Sequence, residues 1–383
     1  MTVRAKLPMS RRSLLPAALS PLLALSVCAA TRSAAPPLKE LARAKGISYG
    51  SCISTAQLAA QDDFTALVLR ECDCIVPENE MKWWSMTHRT DEEDFSVPDR
   101  MMDFAKRFQL AIRGHNLLWY FCVPEWFKML PDRKSAEEAV LRRITDMVSR
   151  YRGRVFCWDV VNEPIYVEHG RQDNLRTTVF VDKIGPEFFD IAYRAARAAD
   201  PEVTLVVNEY DLEYDTPEQD AKRSAVLKLL ERARAAGTPV DTLGIEAHLV
   251  ASHFPFSAVK LRRFLAEVAA MGIQIQITEL DSTDEFAPAS ISERDRCVAD
   301  EYGRFLETAL DEPAVKVLVT WGLSDRHSWI VRGEVAHDAS RKDGLPSRPL
   351  PFDAALTPKP AWTAIAQALQ NAPSRQPAKI VRS

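Results

Sequence analysis

The chain has 383 residues, 46% of them apolar and 27% charged, with a net charge of −4 at pH 7. That balance excludes a disordered chain, and the length suits one barrel-sized core of roughly 250 to 350 residues better than two small domains. The negative charge excludes nucleic acid as a partner.

Arg4, Lys6, Arg11 and Arg12 precede an apolar run, residues 14–27, which ends in Cys28-Ala29-Ala30. This is the form of an export signal peptide over residues 1–30. Ser10-Arg11-Arg12-Ser13-Leu14-Leu15 has the pattern of a twin-arginine signal. An ordinary secretory signal is the alternative, and both place the protein in the periplasm or outside the cell. The run is broken by Pro16 and Pro21 and is too short to span a membrane, so no membrane contact is expected after signal removal. Val27 is bulky for a lipid-anchor site at Cys28. The first thirty residues carry four basic and no acidic side chains, so the remaining chain is more acidic than the whole.

Residues 31–40 are small and proline-containing, and they read as a linker, with the fold beginning near Leu41. From there short apolar runs alternate with helical spacing. Strands are predicted over 47–52, 74–78, 110–115, 155–162, 204–208, 242–248, 274–279 and 315–321. Helices are clearest over 136–150, 187–199, 220–236, 258–271 and 295–310. Strict βα alternation with no internal linker predicts a single-domain α/β fold, a closed (β/α)8 TIM barrel over 41–370. Residues 371–383 are polar, basic and proline-containing, the composition of a flexible tail.

Polar residues collect at the predicted strands' C-terminal ends: Glu78 and Asn79, His115 and Asn116, Asn162 and Glu163, Asn208 and Glu209, Glu246 and His248, then Glu279 and Trp321. Turn formers and helix caps explain Asn there, but not His or Glu at most of the ends. In a barrel this face carries the active site. Glu163 and Glu279, 116 residues apart, fall on the fourth and seventh strands, with three βα units of about 39 residues between them. Cleaving a glycoside needs two carboxyl groups, one to protonate the leaving oxygen and one to attack the anomeric carbon or activate a water.

Six motifs then occur in order: Glu78-Asn79-Glu80-Met81-Lys82-Trp83, Arg113-Gly114-His115-Asn116-Leu117-Leu118-Trp119, Trp158-Asp159-Val160-Val161-Asn162-Glu163, Thr278-Glu279-Leu280-Asp281, Trp321-Gly322-Leu323-Ser324-Asp325 and Pro358-Lys359-Pro360-Ala361-Trp362. With them the chain, over about 41–369, resembles glycoside hydrolase family 10, the retaining endo-β-1,4-xylanases. The resemblance implies hydrolysis of xylan or xylo-oligosaccharides by a monomer without cofactor or metal. It makes Glu163 the acid/base and Glu279 the nucleophile, and a retaining mechanism sets their carboxyls about 5 to 5.5 Å apart. It also implies that Asp281 orients His248, which donates to Glu279; taken alone, His248 would be an ordinary buried histidine. Asn162 would hold the sugar 2-hydroxyl, Glu78, Asn79, Lys82 and His115 the sugars on the non-reducing side, and Trp119, Trp321 and Trp329 the walls at the scissile bond. Aromatic rings suit sugars because a pyranose has an apolar C–H face. Trp158 and Trp362 read instead as core, while Trp83, Trp84 and Trp126 fit either role.

Three positions depart from the family pattern. Tyr120 stands where histidine is common, Glu209 where aspartate is, and Glu246 where glutamine is. Glu246 is a third carboxyl at the site, and neighbouring like charges resist joint ionisation. It is therefore expected to alter the acid limb of activity or the sugar accepted beside Glu163. A different β-1,4-glycanase activity, glucanase-type, would keep the same two glutamates. A non-catalytic sugar-binding homologue would have lost a carboxyl or the His–Asp pair, and this chain has lost neither.

Beyond Cys28, six cysteines remain: Cys52, Cys72, Cys74, Cys122, Cys157 and Cys297. Disulfides or buried thiols are expected in an exported protein. Because Cys52, Cys72, Cys74 and Cys122 lie on or near strands 1 to 3, a zinc or iron–sulfur site is the alternative.

Overall fold

All eight predicted strands form, and they close into a ring. The computed structural model describes residues 35–59, 62–87, 92–332 and 339–382, so the export signal lies outside the described residues. In chain order the strands are β1 (Ser48–Ile53), β2 (Cys74–Pro77), β3 (Ala111–Gly114), β4 (Leu118–Trp119), β5 (Val155–Asn162), β6 (Thr204–Glu209), β7 (Thr242–Ile245), β8 (His248–Val250), β9 (Gln274–Thr283) and β10 (Val315–Thr320). Every pairing between them is parallel, and β10 bonds to both β1 and β9, which closes the barrel. β4 and β8 are short extensions beside β5 and β9.

The strands are buried on both faces, so they carry small and apolar residues with no alternation of buried and exposed positions. The predicted helices form as Arg133–Arg150, Phe188–Ala199, Pro217–Ala235, Ala258–Ala270 and Ile291–Ala309. Polar side chains start three of them: Asp132, Thr216 and Ser257 each accept a backbone N–H of the first turn. The core has two shells. One packs the helices against the barrel, and the other, including Val76, Ala111, Phe156, Val206 and Val317, fills its interior. Among the described residues no helix is long and apolar enough to cross a membrane.

Three expectations are corrected. The linker stops short of residue 40: Leu38 opens a helix, Leu38–Arg43, is fully buried, and donates its N–H to Glu71 Oε2 at 2.9 Å. Leu38, Leu41 and Ala42 have the i, i+3, i+4 spacing of a buried helical face. The sixth predicted strand breaks after Ile245, because Ala247 takes the left-handed conformation at φ 60° and re-aims Glu246 and His248. The tail is not free: Arg375 donates to the carbonyls of Leu310, Glu312 and Val315, and Ile380 packs on the barrel-interior cluster. Its basic residues found carbonyls and the carboxylates of Asp73 and Glu202.

The six cysteines beyond the signal are all free, and all but Cys297 are buried thiols, one of the two states expected of them. Cys52 and Cys74 face the barrel interior while Cys72 belongs to the outer shell, so the sulfurs do not converge. Burial pushes Cys74 and Cys122 up to about 12, and both stay neutral thiols.

Candidate active site

A cavity of about 400 Å³ opens at the C-terminal ends of the strands, within the usual range for ligand sites. Lining it are all the residues given a catalytic or sugar-binding role from the sequence: Glu163, Glu279, His248 and Asp281; Glu78, Asn79, Lys82 and His115; Asn162 and Glu246; Trp119, Trp321 and Trp329. Trp84, Phe121, Cys122, Tyr210 and Asp211 also line it.

A bulge builds the Glu279 end. Between Ile277 and Leu280 β9 has one residue more than the facing part of β10. Strand alternation is interrupted there, and both Thr278 and Glu279 turn toward Asn208. Thr278 Oγ1 donates to Asn208 Oδ1 at 2.7 Å, and Asn208 Nδ2 donates to Glu279 Oε1 at 2.8 Å. The other Glu279 oxygen lies 3.4 Å from His248 Nε2, whose Nδ1 is 2.8 Å from Asp281 Oδ1. Asp281 is itself held by Trp329, whose indole N–H donates to Oδ2 at 2.7 Å.

Burial raises the Glu279 pKa, but His115, His248 and Lys82 outweigh it and bring it down to about 2. His248 moves the other way. Burial lowers it, but the adjoining Asp281 and Glu279 carboxylates prevail and hold it protonated well above its usual range.

Glu163 sits at the end of β5 with φ 54°, a left-handed conformation costly for a side chain larger than glycine and frequent at functional sites. Asn162 Nδ2 donates to its Oε1 at 3.2 Å, and Asn208 Nδ2 reaches Asn162 Oδ1 at 2.9 Å. The two carboxyls are thus joined through two side-chain amides. Glu163 Oε2 is buried with no hydrogen-bond partner among the described residues, and the same is true of Trp119 Nε1. Burial chiefly, then the charge of Glu209, raises Glu163 to about 7 against the opposing pull of Arg176 and Lys222. One carboxyl therefore keeps its proton near neutrality while the other stays ionised, the division of labour an acid/base and a nucleophile require.

Glu246 closes the set. Its Oε1 accepts from Asn208 Nδ2 at 3.0 Å, and its Oε2 is 3.7 Å from His248 Nε2. Asn208 Nδ2 has two hydrogens and faces three acceptor oxygens, those of Asn162, Glu246 and Glu279. One of the three must bring its own hydrogen or go without. Burial, then the charges of Glu279 and Glu163, raise Glu246 well above the usual carboxylate range, so the extra proton belongs there. Among the described residues, Glu246, His248 and Glu279 are the only group with donor atoms close enough to share a metal ion, within 4.8 Å of one another. A protonated His248 has no lone pair to offer one.

On the opposite wall Lys82 Nζ donates to Asn79 Oδ1 at 3.0 Å and lies 4.8 Å from the Trp119 ring centre. His115 Nδ1 is 2.8 Å from Asp159 Oδ2, an aspartate also paired with Arg113 inside the barrel. Trp158 is 1% exposed and belongs to the core as expected. Gly114 is required beside it, because a Cβ there would enter the Trp158 ring.

Asn208 stood on the expected face but carried no expected role, and Arg176 and Lys222 were not expected near the site. Arg176 Nε donates to the Glu163 carbonyl at 3.0 Å, its guanidinium lies 4.2 Å from the Tyr120 ring centre, and an Nη is 3.8 Å from Glu163 Oε2. Glu209 accepts from Ile165 N at 2.9 Å and pairs with Lys222 at 2.8 Å, so it fastens the segment just after Glu163. Both Tyr120 and Glu209 thereby acquire a structural reason. Lys222 had a visible signal, a charged residue on the same helical face as buried Val226 and Leu229. Arg176 had none.

The model for glycosyl hydrolase family 10 matches residues 37–368. Endo-1,4-beta-xylanase A of Phanerodontia chrysosporium is 30% identical over 339 residues, spanning 86% of this chain and 76% of that protein. Endo-1,4-beta-xylanase B of Thermotoga neapolitana is 28% identical over 340 residues, 87% of this chain and 92% of that one. Among solved structures, native xylanase 10B from Thermotoga maritima superposes with a TM-score of 0.77 at 28% identity, covering 87% of this chain and 98% of its own. Xylanase 10B from Thermotoga petrophila RKU-1, in complex with xylobiose, gives 0.76 at 28% identity, covering 87% and 97%.

Proposed function

Because the chain belongs to glycosyl hydrolase family 10, we propose that Glu279 attacks the anomeric carbon of a β-1,4-linked xylose while Glu163 protonates the departing oxygen. The enzyme is a retaining endo-1,4-β-xylanase. A xylosyl ester on Glu279 forms first, and Glu163, now a carboxylate, takes a proton from the water that releases it. The observation that supports this assignment is the contrast in setting of the two carboxyls: Glu279 lies between Asn208 Nδ2 and His248, whereas Glu163 Oε2 is buried with no hydrogen-bond partner among the described residues, which lowers the pKa of the one to about 2 and raises that of the other to about 7. His248, oriented by Asp281, keeps the nucleophile ionised, and Asn162 is placed beside Glu163 to hold the 2-hydroxyl of the reacting sugar. Glu78, Asn79, Lys82 and His115 bind sugars on the non-reducing side, with Trp119, Trp321 and Trp329 packing on their faces.

The protein works as a monomer, exported through the twin-arginine pattern at residues 10–15. The barrel carries the catalysis.

Proton NMR of xylo-oligosaccharide hydrolysis tests the mechanism. The first product seen is expected to be the β-anomer, and early appearance of the α-anomer would overturn the assignment. Faster cleavage of carboxymethylcellulose than of xylan would overturn the substrate.

Glu246 enters this cycle as a neutral acid. At low pH it carries no charge to disturb Glu279, so its influence falls on the sugar accepted rather than on the acid limb. The Glu246→Gln variant is expected to lose a protonated-carboxyl band from its infrared spectrum at pH 8, where Glu163 is ionised. It should also change the ratio of xylo- to gluco-configured substrate turnover. An acid limb displaced in this variant would show instead that Glu246 ionises beside Glu279.

A further inference from the structure

The helix Trp83–Met86 places two adjacent tryptophans in opposite surroundings: Trp83 is 2% exposed, while Trp84 is 50% exposed. Trp84 nevertheless lines the cavity, as does Phe121, which is 57% exposed. Single exposed hydrophobic side chains are ordinary on any protein surface. These two differ because they line one cavity together with Lys82 and Trp119. Trp84 and Cys122 line the same cavity. Phe121 packs on Trp119 with ring centres 5.3 Å apart. A half-exposed indole on a cavity wall offers an apolar face on which the C–H face of a sugar ring can stack.

We propose that Trp84, with Phe121 beside it, forms a distal stacking subsite for one more xylose of the β-1,4 chain, beyond the sugars held by Glu78, Asn79 and Lys82. This rests on the xylanase reading and extends it. A chain long enough to reach Trp84 gains the contact, and a short one does not. Chain length, rather than sugar identity, is what this wall would select.

The test compares kcat/KM for xylohexaose with kcat/KM for 4-nitrophenyl β-xylobioside in the wild type, Trp84→Ala and Trp84→Phe. The ratio of the long to the short substrate is expected to fall about five- to ten-fold in Trp84→Ala, and by less than about two-fold in Trp84→Phe, which keeps a ring. A wild-type ratio in Trp84→Ala would overturn the subsite. So would the same loss in both variants, because a ring alone should then have sufficed. A wild type inert on both substrates would overturn the xylanase reading instead.

Discussion

Glu279→Gln is expected to lower xylan hydrolysis by roughly 10⁴-fold or more, with little change in the far-ultraviolet circular dichroism spectrum. An amide is a poor nucleophile and forms no xylosyl ester. Its nitrogen is also unwelcome, since the carboxylate it replaces accepts from Asn208 on one side and faces His248 on the other. Either amide orientation sets a donor against a donor. Glu279→Ala removes that conflict and leaves a space where the carboxylate stood. Azide or formate entering it would attack from the same face, giving an α-configured product or restored turnover. Turnover of Glu279→Ala near the wild-type rate without added anion would show that the nucleophile lies elsewhere.

Glu163→Ala is expected to cost about 10² to 10⁴-fold on xylan, where the leaving sugar must be protonated. Dinitrophenyl xylobioside departs without that help, so its glycosylation step should be spared and an initial burst should precede slow release of the xylosyl ester. The pH dependence gives the sign. Glu163 acts in its protonated form, which is present below about 7 and lost above it. Glu279 acts ionised, and is neutralised only near 2. The kcat/KM profile on xylan is therefore a bell with its alkaline limb near neutrality, and that limb should vanish for the activated substrate in Glu163→Ala. Equal losses on both substrates would remove Glu163 from the acid role.

The barrel was legible because parallel strands buried on both faces leave long β-branched runs, and because Glu163, His248 and Glu279 stand where such runs stop. What stayed hidden depends on three-dimensional detail that spacing does not encode. Thr278 and Glu279 face the same neighbour only because β9 bulges there. Arg176 reaches Glu163 from thirteen residues further along an irregular segment. The tail looked free because its residues are polar, yet Arg375 is held by three backbone carbonyls that no composition argument could have supplied. The charge state of Glu246 was hidden for a related reason. It follows from burial beside Glu279 and Glu163, which spacing along the chain does not reveal.

That amide also restricts how the enzyme can change. Asn208 lies so close against Gly244 that any side chain at position 244 would meet its Oδ1. Asn162, Glu246 and Glu279 compete for the two hydrogens on its nitrogen. Substitutions at these five positions should be strongly epistatic, since each alters the hydrogen bonding available to the others. A lineage exploring new pH optima or sugars would find single steps here closed and would have to move two or more residues together, while the wall at Trp84 stays free to vary one residue at a time.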